Sequence, residues 1–240
     1  MTFDPSTLKA LCFDVQGTLV DFHTPVIEAG EALAARRQFV ADWSEIIVRW
    51  RAGYRVGMDA ILAGNRGWTS TDTIYREALD TLLQDYPWAQ RVSTEDRDLL
   101  NATWSQLRPW ADTPQGLHRL RSRYLTAALS NGSMASVIRI ARHGGLSFDA
   151  ILTGELVKSF KPDPKVYDLA IRSLGVAPSE VMMVASHKYD LMAARARGWR
   201  TAFIARPLEF GPGATVDTAP DPAFDCHVAD MGELADLLAA

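Results

Sequence analysis

Asp14 ends the short apolar run Leu11-Cys12-Phe13 and is followed by Val15-Gln16-Gly17-Thr18, in which Gly-Thr turns the backbone. A carboxylate at the C-terminal edge of a first strand is where an α/β enzyme holds a nucleophile. Three more short elements follow in order: Leu129-Ser130-Asn131-Gly132-Ser133, Lys161-Pro162-Asp163-Pro164-Lys165-Val166-Tyr167, and Val184-Ala185-Ser186-His187-Lys188-Tyr189-Asp190. Each lies at or just past the end of a predicted strand, so one sheet would gather all four in the crevice where such folds bind ligands. Asp14, Asp190 and an anionic substrate cannot share a dry site without a cation, because like charges in low dielectric raise a carboxylate's pKa. Lys161 is the expected source of that charge, with Lys158 as the alternative. At Ser130 and Asn131 a hydroxyl, an amide and the N–H groups of a following helix would cradle an anion. Helix capping is the rival role for these two residues and for Asp190.

The elements that must position these groups alternate through the second half of the chain. Apolar runs at 10–14, 125–130, 150–153, 181–186 and 201–204, with a weaker one at 226–228, read as strands. Helical patterns at 113–122, 134–143, 164–174, 191–197 and 232–238 lie between them, the order of a parallel sheet with crossover helices. Gly144-Gly145, Gly175 and Gly198 sit where helix C-caps belong. Residues 21–109 break the rhythm. They read as consecutive helices at 25–37, 41–62, 70–84 and 94–107 with no convincing strand, the last two opened by Ser/Thr N-caps. A helical block placed straight after the first strand and turn would cover the sheet's C-terminal edge. Trp43, Trp50, Trp68, Trp88, Trp104 and Trp110 fall in this block or at its exit, and Trp43, Ile46, Ile47, Trp50 and Tyr54 recur at helical spacing. That stripe predicts a packed interior with one or two rings left to wall an apolar pocket. The expected fold class is therefore α/β, with a Rossmann-like parallel-sheet core in residues 1–20 and 110–240 and an inserted helical cap in residues 21–109. Residues 209–223, rich in proline and glycine, read as a loop.

At 240 residues the chain can bury a substantial core, and its net charge of -4 gives no electrostatic reason to bind nucleic acid or an anionic membrane. A small solute is the expected partner. Two cysteines, Cys12 and Cys226, suit a reducing compartment better than a disulfide framework. No basic start joined to an apolar segment and no run long enough to span a membrane is present, which leads to the expectation of a soluble, cytoplasmic protein.

The four elements and the helical insert resemble the L-2-haloacid dehalogenase branch (type II) of the haloacid dehalogenase superfamily over nearly the whole chain. Further matches lie at Trp50-Arg51, Pro109-Trp110-Ala111-Asp112 and Arg206-Pro207. The resemblance implies hydrolysis of short (S)-2-haloalkanoates without metal or other cofactor, and often a homodimer. It implies Asp14 as the nucleophile that displaces halide and leaves an ester, Lys161 as the charge partner, and Asp190 as the holder of Lys161 or the group that activates water. Ser186 and His187 precede Asp190; relatives often carry serine and asparagine there, so His187 is a departure that would orient water or hydrogen-bond departing halide. The resemblance further places Thr18 with Ser130 and Asn131 near the substrate carboxylate, Trp50 and Arg51 at the substrate or halide, and Tyr167 beside the site. Phosphotransferases of the superfamily carry a second aspartate two residues after the first, where this chain has Gln16, which has no proton to give. Haloacid dehalogenases often have an aromatic residue there, so Gln16 is expected to reshape the pocket. A phosphatase, a hydrolase of another activated carbon such as a small-ring amino acid, and a binding protein without turnover are the competing functions.

Overall fold

β1 (Ala10–Phe13) is buried along its whole length, with Leu11 and Phe13 in one apolar cluster and Ala10 and Cys12 in another. That is the signature of a strand covered on both faces. In the computed structural model, which describes residues 3–239, it is a central strand of a six-stranded parallel sheet. The order is β5 (Ala150–Thr153), β4 (Leu125–Ser130), β1, β6 (Val181–Ala185), β7 (Arg200–Ile204) and β8 (Cys226–Val228). Leu117 of α5 (Thr113–Arg121), Val137 of α6 (Met134–His143) and Leu234 of α9 (Met231–Ala239) pack on the Leu11 face. Val166 of α7 (Pro164–Leu174) and Leu191 of α8 (Lys188–Ala196) pack on the Cys12 face. The fold is thus α/β with a three-layer, Rossmann-like core. Because β1 lies between β4 and β6, the chain turns away on both sides of it, which opens a crevice at the strands' C-terminal ends.

The helical insert begins and ends at a two-residue antiparallel pair, β2 (Val20–Asp21) against β3 (Arg108–Pro109). Between them run α1 (His23–Arg37), α2 (Trp43–Leu62), α3 (Thr71–Leu83) and α4 (Thr94–Ala102), with 3-10 turns at Pro87–Arg91 and Thr103–Ser105. Asp42, Ser70 and Ser93 cap α2, α3 and α4 through their side chains, each satisfying N–H groups that a helix start leaves without partners. Ser93 and Asp96 form a reciprocal capping box, and Arg36 and Arg37 hold the buried Asp96 from α1. The stripe Trp43, Ile46, Ile47, Trp50 and Tyr54 is buried as its spacing predicts.

Three sequence expectations need correction. The insert does contain strand, because β2 and β3 are too short to show alternation. The helix expected at 94–107 stops at Ala102 and continues as a 3-10 turn. The helix expected at 191–197 starts at Lys188, so His187 occupies the N-cap and Asp190 lies within the first turn, not at the cap. Among the described residues no helix is long and apolar enough to cross a membrane.

Candidate active site

The turn after β1 is clamped from three directions. Trp110 Nε1 donates to the Gly17 carbonyl at 2.8 Å, Thr113 Oγ1 to the Leu19 carbonyl at 2.9 Å, and Arg206 Nε to the Thr18 carbonyl at 2.8 Å. Arg206 also grips Asp112 through two parallel bonds of 2.8 Å. A bidentate guanidinium–carboxylate pair fixes orientation as well as distance. The separate sequence matches at 109–112 and 206–207 therefore meet, and together they set the backbone that presents Asp14.

Asp14 Oδ1 accepts a hydrogen bond from Lys161 Nζ at 2.8 Å, and Oδ2 accepts one from Thr18 Oγ1 at 2.8 Å. His187 Nδ1 lies 3.1 Å from the same Oδ2. Lys161, only 1% exposed, also donates to Asp190 Oδ2, so its ammonium stands between two carboxylates. Asp190 is fully buried, and its Oδ1 accepts from Tyr167 OH at 2.6 Å. Ser186 N donates to Thr18 Oγ1 at 2.9 Å and thereby orients the hydroxyl that serves Asp14. Asn131 clasps the Lys161 backbone: its Oδ1 accepts from Lys161 N at 2.7 Å and its Nδ2 donates to Lys161 O at 3.3 Å. Lys158 is exposed at the end of a 3-10 turn, which removes it as the alternative cation.

Burial by itself would raise the Asp14 carboxyl, but the Lys161 ammonium and the His187 ring outweigh it and hold Asp14 well below the ordinary carboxylate range. Lys161 shows the converse: burial disfavours its charge, and Asp14 and Asp190 more than restore it. Asp190 is pushed upward by burial and by the Asp14 charge, against the pull of Lys161. Asp14, 8% exposed, is thus held as an ionised carboxylate, the state an attacking oxygen requires.

Above Asp14 opens a cavity of about 440 Å³, floored by Asp14, Gln16, Ser130, Asn131 and His187 and roofed by Arg51, Tyr54, Arg55 and Met58 of α2. It is large enough for a short organic acid. The Arg51 guanidinium lies 3.9 Å above the Phe22 ring and donates to Tyr75 OH at 3.3 Å, and Tyr75 OH donates in turn to Gln16 Oε1 at 3.3 Å. Burial pushes the Tyr75 phenol up to about 12, so it keeps the proton it donates.

A model of the haloacid dehalogenase-like hydrolase family matches residues 8–198. The chain belongs to that family. Within this hydrolase family it is 30% identical to (S)-2-haloacid dehalogenase 4A of Burkholderia cepacia, over 86% of this chain and 89% of that protein. It superposes on the solved L-2-haloacid dehalogenase PA0810 with a TM-score of 0.92 at 41% identity, covering 97% of this chain and 99% of the other. A structure of the L-2-haloacid dehalogenase from Xanthobacter autotrophicus with chloropropionic acid covalently bound has a TM-score of 0.78 at 26% identity, covering 97% and 99% of the two chains.

The residues singled out from the sequence of this hydrolase separate into two layers. Asp14, Gln16, Arg51, Ser130, Asn131 and His187 face the cavity. Thr18, Lys161, Ser186 and Asp190 stand behind Asp14 and hold it, directly or through one another, while Tyr167 holds Asp190. Thr18 Oγ1 therefore bonds the Asp14 carboxylate and does not line the cavity where an anion would be cradled. Tyr167 does not line the pocket. Nor does Trp50, which is fully buried, donates Nε1–H to the Tyr75 carbonyl at 2.7 Å and meets Tyr75 and Trp104 edge-on. Trp50→Phe is expected to lower stability by about 2 kcal/mol and to change KM by less than about twofold, checked by urea denaturation and steady-state kinetics.

Sequence reasoning did not find Glu209, Tyr75 or Phe210, whereas Tyr54 is the ring of the α2 stripe that walls the pocket. Glu209 is 1% exposed, and its Oε1 lies 2.8 Å from His187 Nε2. It follows Arg206-Pro207 in a loop with no periodicity, and its only signal was an acidic residue just past that matched pair. Tyr75, for which the sequence carries no signal, stacks on Tyr54 with ring centroids 4.0 Å apart.

Proposed function

We propose that the protein hydrolyses short (S)-2-haloalkanoic acids, such as haloacetates and 2-halopropionates, to 2-hydroxy acids through an ester on Asp14. The observation that carries this is the Asp14 carboxylate at the cavity floor, kept ionised by Lys161 and His187, with Gln16 two residues on. Asp14 attacks the carbon bearing halogen from behind. The carbon–halogen bond breaks, its electron pair leaves with the halide, and configuration at that carbon inverts. Water then attacks the ester carbonyl and frees the hydroxy acid. Ser130, Asn131 and the N-terminal end of α6 lie where a substrate carboxylate would be received, and Arg51 in the roof supplies a fixed positive charge on α2. Holding the carbon in line, in a site with little water, is what makes a weak nucleophile effective.

Lys161 Nζ occupies the space between Asp14 and Asp190 where a cation is required, which supports turnover without a metal. Chloride release from (S)-2-chloropropionate should accordingly persist unchanged in excess chelator, measured by ion chromatography. Loss of release on chelation, or magnesium-dependent phosphate release from an aryl phosphate, would instead favour a phosphatase. Residues 21–109 as a cap over a core of 1–20 and 110–240, a cytoplasmic location and self-association into a homodimer belong to the same proposal. The buried, unbridged thiols of Cys12 and Cys226 support the location.

A further inference from the structure

Asp190 and His187 are the two candidates for activating the hydrolytic water, and the geometry separates them. Asp190 is fully buried, does not reach the cavity, and has both oxygens engaged, one by Lys161 and one by Tyr167. His187 lines the cavity, with Nδ1 turned to Asp14 and Nε2 to Glu209. Room for the Glu209 carboxylate is built into the turn that carries the nucleophile: Gly17 has φ +87°, and a Cβ there would lie 2.4 Å from Glu209 Oε1.

We propose that Glu209 is a positioning residue that holds the His187 ring with Nδ1 facing the Asp14 ester, making His187 the base for ester hydrolysis while Asp190 serves only to hold Lys161. The proposal rests on the aspartyl-ester reading given above. While Asp14 is free, both ring nitrogens face carboxylates, so both donate and the ring is an imidazolium. Burial opposes that charge, and the bonds to Asp14 and Glu209 carry it well above the ordinary histidine range. Of the other polar neighbours, Tyr189 stacks on the face of the ring with centroids 5.7 Å apart, away from its nitrogens, and Arg51 in the roof is a donor only.

Ester formation removes the negative charge on Asp14, whichever oxygen attacks. One of the two anions that kept the ring charged is then gone, and the Nδ1 proton passes to solvent. Glu209 still accepts from Nε2–H, which fixes the tautomer and leaves the Nδ1 lone pair towards the ester. Water adds to Cγ and gives one proton to Nδ1. The bond from Cγ to the product oxygen breaks, that oxygen takes the second water proton, and Asp14 returns as carboxylate against an imidazolium. The cycle closes with one proton released per turnover, in its first half.

The test is Glu209→Gln, which keeps size and hydrogen-bonding reach but can present an N–H to Nε2 and so select the wrong tautomer. In rapid-quench experiments with (S)-2-chloropropionate, the variant should release about one chloride per site at the wild-type rate and then turn over at least about 100-fold more slowly. The ester should accumulate on Asp14, visible by intact mass. Because the variant lacks the Glu209 charge, the imidazolium is more acidic, and the rising acid limb of the hydrolysis rate should move to lower pH. Unchanged turnover and pH profile would overturn the proposal. So would a chloride burst slowed by the same factor as turnover, or loss of both in a variant whose circular dichroism matches the parent. Absence of chloride release from the unmodified protein would instead remove the dehalogenation reading itself.

Discussion

Asp14→Asn is expected to reduce halide release by about 10⁴-fold or more while leaving the fold intact. The substitution preserves shape, and the charges it leaves behind keep partners: Lys161 retains Asp190, and His187 retains Glu209. What disappears is, among the described residues, the only carboxylate that lines the cavity, and one held anionic. Halide release by ion chromatography, together with thermal unfolding, checks both halves of the expectation. Substantial turnover in the variant would mean that another group attacks, and the aspartyl-ester chemistry would fall with it. The depressed Asp14 ionisation adds a pH signature. Because its folded-state value lies below the usual carboxylate range, the chloride burst should be flat through the mildly acidic region and fail only when the pH drops below that range.

Lys161→Met should be the most damaging change behind the cavity. It removes the ammonium between Asp14 and Asp190, leaving the His187 ring as the remaining positive partner of Asp14 and, among the described residues, none for Asp190, in a site where neither carboxylate is more than 8% exposed. Breaking a buried charge cluster by removing one partner typically costs about 3–5 kcal/mol, and loss of the charge that stabilises the reacting carboxylate should reduce turnover by at least about 10²–10³-fold. The sign of the pH dependence follows from the shifts. In the parent, Asp14 is depressed in the folded state, so its contribution is present above the unfolded carboxylate value and is lost as pH falls. In the variant Asp190, already pushed upward by burial, loses the pull of Lys161, so its carboxylate penalises folding as pH rises through the unfolded value. The stability gap between the two proteins, measured by urea denaturation, should therefore narrow between pH 7 and about pH 4. Adding Asp190→Asn should recover part of the lost stability without restoring activity; a full return of activity would show that Lys161 is structural only.

The sheet and the position of Asp14 were legible because burial on both faces writes itself into sequence as unbroken apolar runs. The observed β4, β5 and β8 coincide with those runs, and β1, β6 and β7 differ by one residue at one end. The four polar elements were legible for the same reason, since each sits where such a run stops. Glu209 was hidden because it reaches the site from a loop, where neither spacing nor apolarity constrains a residue and only the fold sets what it touches. Trp50 misled in the opposite way: it sits next to the cavity-facing Arg51, but on a helix adjacent residues point about 100° apart, and Trp50 turns into the interior. Thr18 and Tyr167 were found as members of the site, but which side of Asp14 they serve depends on packing between β1, α7 and α8 that no local pattern encodes.

The pairing of Val20–Asp21 with Arg108–Pro109 puts the departure and the return of the helical insert side by side. Neighbouring strands lie about 4.8 Å apart, so whatever hangs between those two crossings places almost no demand on the geometry of the sheet beneath. Asp14, Gln16, Asn131 and His187 line the cavity from loops at the sheet's edge, whereas Arg51, Tyr54, Arg55 and Met58, which shape the room around a substrate, lie between those two crossings. Selectivity can therefore drift, by lengthening or exchanging the suspended helices, without the bond-breaking apparatus having to be rebuilt.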